Sequence, residues 1–66
     1  MAVLAWTVSV GKRYKRFGEL RTVVNISNDD IVEYEFRMKT DSGGEAVGMR
    51  TMPLARFAEE VDVEVR

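Results

Sequence analysis

The run Ile31-Val32-Glu33-Tyr34-Glu35-Phe36-Arg37-Met38-Lys39 constrains this chain more than any other segment, because apolar and charged residues alternate in it almost without a break. Period two is the mark of a strand with one face buried and the other in water. Val32, Tyr34, Phe36 and Met38 are expected inside; Glu33, Glu35, Arg37 and Lys39 are expected outside. A helix would scatter the same side chains around its circumference.

The preceding segment, residues 20–27, is rich in β-branched side chains and reads as a second strand with Leu20, Thr22, Val24 and Ile26 inward. Asn28-Asp29-Asp30 is a turn by composition. A two-residue loop would lay Val24 and Ile26 on the face of Glu33 and Glu35. A three-residue loop sets Ile26 opposite Val32, Val24 opposite Tyr34 and Thr22 opposite Phe36. A slip of one residue turns every side chain over, so burial selects the longer loop. After Thr40-Asp41-Ser42, Gly43 and Gly44 suit a tight hairpin into a strand over residues 45–51. That turn pairs Met38 with Met49 and Phe36 with Thr51.

Beyond this strand the period changes. Leu54, Phe57, Ala58 and Val61 stand at helical spacing behind Pro53, which suits a first helical position. One or two turns are expected, with Glu59 and Glu60 opposing the helix dipole. Val61-Asp62-Val63-Glu64-Val65 alternates again as a closing strand. At the other end, Leu4, Trp6, Val8 and Val10 read as a first strand sharing the parity of Tyr14. Lys12 shares that parity too, so a bulge at Gly11 is expected to shift the phase.

The layout is all-β: five strands, with a short helical turn before the last. It resembles the small SH3-like barrels, including Tudor-like and KOW-like domains, over nearly the whole chain. It is also similar to small barrels of bacteria and their phages in its "GKRY" opening, its "TVVNIS" and "VEYEF" strands and its "PLARF" turn. The resemblance implies a single barrel over residues 1–66 and brings no activity with it. A Tudor-type reader needs an aromatic cage. With Tyr34, Phe36 and Phe57 inward, Trp6, Tyr14 and Phe17 are the residues left for one.

Composition bounds the chemistry. With 66 residues the chain is near the lower limit for a core without staples, and a stability of a few kcal/mol is expected. It has no cysteine and no histidine, which removes disulfides, thiolates, the commonest general base and the commonest metal ligand. Ser9, Ser27 and Ser42 therefore lack a partner base. Asp29-Asp30 and Glu59-Glu60 are adjacent carboxylates that diverge into water, and Gly11-Lys12-Arg13 lacks the rest of a phosphate-binding loop. A non-enzymatic chain without metal or cofactor is expected. Its apolar run over residues 1–6 is too short to span a bilayer, and a cytosolic protein is expected.

Formal charge is −1, so no global positive field recruits nucleic acid. Residues 12–21 nevertheless hold five cations against one glutamate, and residues 59–64 hold four carboxylates and no cation. Lys12, Arg13, Lys15 and Arg16, interleaved with Tyr14 and Phe17, read either as a phosphate-tracking segment or as an edge strand kept soluble by charge. The expected registers add a second feature: Arg21 opposite Arg37, Arg37 opposite Arg50, and Lys39 next along, a cationic stripe across the outer face. Val23, Ile31, Met52 and Val3 are left as outward apolars that suit a contact surface or a homodimer. Together these features point to a protein-interaction module that regulates or inhibits a larger partner through a basic sheet face. Nucleic-acid binding is the second reading and an oligomer-forming accessory the third.

Overall fold

The computed structural model describes residues 3–65. A 3₁₀ turn, Ala5–Thr7, precedes strands β1 (Arg13–Arg16), β2 (Glu19–Ile26), β3 (Ile31–Lys39) and β4 (Glu45–Pro53). Helix α1 (Leu54–Glu60) and strand β5 (Val63–Val65) complete the chain. All neighbouring strands are antiparallel, in the order β4-β3-β2-β1-β5. Val8, Tyr14, Val23, Val32, Tyr34, Phe57, Ala58 and Val61 form the core. Phe57 carries α1 into it, edge-on to Tyr14 at 5.5 Å and tilted against Tyr34 at 5.2 Å.

The five strands and the helical turn match the sequence reading, but the first strand does not lie where the apolar run suggested. Leu4, Trp6 and Val10 are exposed around the 3₁₀ turn, and the basic segment itself forms β1. Gly11 forms the expected bulge: at φ 90 its N–H donates to the Val23 carbonyl while Val23 N–H donates to the Lys12 carbonyl, so two residues oppose one. The phase shift falls before Lys12, which therefore keeps the parity of Tyr14. The Lys12 ammonium reaches out to the Thr7 carbonyl at 3.3 Å and to Glu64 at 3.5 Å, which keeps its charge out of the core.

The β2–β3 hairpin has the three-residue loop that burial demands. Ile26 faces Val32, Ser27 N–H donates to the Ile31 carbonyl, and Asp30 closes the turn at φ 57. Farther along, β2 departs from the expected register at a bulge between Val23 and Asn25. Val23, expected outside, is buried opposite Tyr34, and Val24, expected inside, is exposed. Every residue before the bulge changes face: Thr22 opposes Glu35 rather than Phe36, Leu20 opposes Arg37, and Arg21 turns into the core opposite Phe36. An extra residue in one strand of a pair has this effect by geometry.

The β3–β4 hairpin is also re-registered. Thr40 N–H donates to the Gly44 carbonyl, the Thr40 hydroxyl accepts from Gly44 N–H, and Gly43 adopts φ 84. The loop is therefore Asp41-Ser42-Gly43, not Gly43-Gly44. Met38 faces Ala46 rather than Met49, Phe36 faces Gly48 rather than Thr51, and Arg37 faces Val47 rather than Arg50. A Cβ on Gly48 would stand 2.7 Å from the Phe36 ring, which lies over the glycine and carries the Arg50 guanidinium on its face at 4.4 Å.

Candidate functional site

These registers sort the arginines into three environments, and the expected stripe across the outer face does not form. Arg21 is 2% exposed. Its guanidinium lies over Tyr34 at 4.7 Å and Phe57 at 5.6 Å. Nε donates to Glu19 and the terminal nitrogens donate to Glu60 at 3.3 Å. A planar, weakly hydrated cation with carboxylates along its edge and rings on its face suits such burial. Glu60 also meets Arg56 at 3.1 Å and Arg16 at 3.8 Å. Partial burial pushes its carboxyl up, but hydrogen bonds from Arg56 and Arg21, with the charges of Arg16 and Arg21, outweigh that and hold it below the ordinary 4.5. The two glutamates that opposed the helix dipole are thus explained in part: Glu60 is the counter-ion of the core arginine.

Arg37 stays on the outer face, tied to Glu35 at 3.1 Å and Glu45 at 3.4 Å. The hydrogen bond to Glu35, then the charges of Glu35 and Glu45, raise its pKa. Arg50 is on the opposite face, over Phe36. Tyr14 is a core residue, and burial raises its hydroxyl above the ordinary 10.0. It packs on Phe57 and not with Trp6 or Phe17, so these three form no aromatic cage.

The basic segment has a clearer outcome. β1 is paired on both sides, to β2 and to β5, so its cations do not protect a free edge. Lys12 and Arg16 are matched with carboxylates. Arg13 and Lys15 point outward and, like Lys39, make no ion pair among the described residues. Lys15 faces Leu20, which faces Arg37, so the outer face reads Val63, Lys15, Leu20, Arg37, Val47 across all five strands. Two adjoining shallow hollows share Gly18 and Leu20 here. One of about 140 Å³ is bordered by Lys15 and Phe17, the other of about 200 Å³ by Arg37 and Lys39.

Phe17 stands at the rim and is the residue whose significance the sequence hid. It begins the two-residue turn between β1 and β2 at φ 53, with its side chain 86% exposed. A left-handed conformation is uncommon for a bulky residue, and tight turns there are normally filled by glycine or asparagine. The turn is fixed by Phe17 N–H donating to Asp62 at 3.3 Å, and Arg16 lies 5.8 Å from the ring centroid. A larger depression of about 670 Å³ lies along α1, but it is open and lined in part by the paired Arg56 and Glu60. No helix among the described residues is long and apolar enough to cross a membrane. The chain matches no family model, no curated protein and no solved structure.

Proposed function

We propose that the protein is a non-enzymatic interaction module that regulates a larger protein by inserting Phe17 into an apolar pocket on an acidic surface. Lys15 and Lys39, which border the two hollows beside the ring, face the partner's carboxylates, and Arg13 extends the basic face farther along β1. The observation that carries this reading is Phe17 itself, a phenylalanine at positive φ with its ring in water. Both features oppose folding, and strain of this kind collects where a residue serves recognition. Aromatic anchors ringed by charge dominate protein interfaces. The strand order, the bulged second strand and the helical turn before the last strand are consistent with an SH3-like barrel as the scaffold.

Protein is favoured over nucleic acid because two of the cations in the basic segment are already neutralised by Glu60 and Glu64, and Phe17 is the single aromatic bordering the two hollows beside Lys15 and Lys39. The test is capture from host extract with wild-type protein, Phe17→Ala and Lys15→Glu/Lys39→Glu, each with and without nuclease. One protein retained by wild type after nuclease and lost by both variants is expected. Retention that vanishes with nuclease and falls steeply with salt would make nucleic acid the ligand, and equal retention by all three forms would remove the site.

A further inference from the structure

β4 is an edge of the sheet and, unlike β5 at the opposite edge, it is long. Its register with β3 runs from Ile31↔Pro53 to Lys39↔Glu45 without a bulge; it contains no lysine, its proline stands only at its last residue, and its outward charge, Glu45, only at its first. Natural edges are usually blunted by one of these devices. The direction of its backbone groups follows from two bonds that bracket the ladder. Thr40 N–H donates to Gly44 O at 3.0 Å and Leu54 N–H to Asp30 O at 2.8 Å. Bonded and non-bonded pairs alternate along an antiparallel ladder. Even-numbered β4 residues are therefore bonded to β3, while Glu45, Val47, Met49 and Thr51 turn N–H and C=O to the free edge. Their side chains share the outer face, where Val47 is 52% and Met49 51% exposed.

We propose that this edge pairs with β4 of a second copy, antiparallel about a two-fold axis at Gly48, joining two sheets into one. A symmetric pair must oppose residues of like backbone orientation, so odd-numbered residues face odd. Centred on Gly48, Val47 opposes Met49 of the other copy, Glu45 opposes Thr51, and Ala46 opposes Arg50. Every outward amide from Glu45 to Thr51 finds a carbonyl, both apolar side chains meet an apolar partner, and no like charges are opposed. Glycine at the centre opposes glycine, so no side chain obstructs the approach. Shifting the centre to residue 47 sets Glu45 against Met49, and shifting it to residue 50 sets Arg50 against Arg50. The second copy is thus the occupant that the edge itself specifies. This surface is separate from Phe17 and does not depend on the function proposed for it.

The test is molecular mass by sedimentation across micromolar to sub-millimolar protein, with the fold followed by circular dichroism. Wild type is expected to form a dimer that Lys15→Glu leaves intact. Val47→Lys places a charge in the apolar seam. Met49→Pro removes an outward N–H and no bond to β3, as edge positions tolerate. Both variants are expected to remain folded and become monomeric; if the proline variant unfolds, Val47→Lys decides. The chain has no cysteine of its own, so Ala46→Cys mixed with Arg50→Cys reports the register. Their α-carbons would lie about 4.5 Å apart in a non-bonded pair, within disulfide reach. A covalent dimer forming mainly on mixing supports the pairing. A wild type that stays monomeric throughout, or a dimer insensitive to Val47→Lys, overturns it.

Discussion

Arg21 shows how one side chain can reorganise the reading of a small sheet. Leu20, Thr22, Val24 and Ile26 share a parity, and on parity alone the arginine belongs in water. Val23 and Val24 are identical residues in adjacent positions, so nothing in composition marks the bulge that exchanges their faces. The buried ion pair has a measurable consequence. Arg21→Ala leaves Glu19 buried without its partner and is expected to cost about 3 kcal/mol or more, much of the stability of a domain this size. Urea denaturation should show it, and Arg21→Met combined with Glu19→Leu should recover most of the loss. Glu60 adds a pH signature. Its folded pKa lies below the ordinary 4.5, so its contribution is present above that value and is lost as pH falls through the folded one. The gap in melting temperature between wild type and Glu60→Gln should therefore close on acidification through the folded pKa, below the ordinary carboxylate value. Phe17→Gly should stabilise the fold by roughly 1 kcal/mol, by relieving the left-handed strain, while abolishing partner binding.

At the scale of the element, the two hairpins of the meander use the same device, a three-residue loop whose last residue is left-handed. The first was legible because only one register buries Ile26 against Val32. The second was not. In β4 both alternating sets contain apolar side chains, Ala46 and Met52 on one face and Val47 and Met49 on the other, so burial does not choose between the registers. The choice is made by Thr40, which closes the loop with its hydroxyl, and by Gly48, which accepts the Phe36 ring. A glycine in a strand reads as weakness, but here an aromatic covers it. The turns make a paired prediction. Asp30→Gly should stabilise by about 0.5 to 1 kcal/mol and Gly43→Ala should destabilise by at least as much, since only glycine accepts positive φ without cost. Thermal melts of the two variants against wild type would read both signs.

Across the whole molecule, the β3–β4 hairpin outruns the core, so Met38 is part exposed although it lies on the inner face. The alternation of β3 was sound about direction and silent about how far the core extends. Charge is distributed by the same topology: the carboxylates near the C-terminus, through Glu60 and Glu64, neutralise Arg21, Arg16 and Lys12, while Lys15 and Lys39 stay unpaired among the described residues beside the hollows at the solvent-held Phe17. Sequence reasoning identified these lysines as candidates and missed what separates them from Arg21, because separation requires the bulge. Fold and candidate site alike therefore depend on where the Arg21 guanidinium lies, and its Nε proton reports that directly by nuclear magnetic resonance. A slowly exchanging Arg21 Nε–H with contacts to the Tyr34 and Phe57 rings is predicted, beside a fast-exchanging Arg37. An Arg21 proton that exchanges as fast as that of Arg37 and touches neither ring would contradict the buried placement and the division of charge that follows from it.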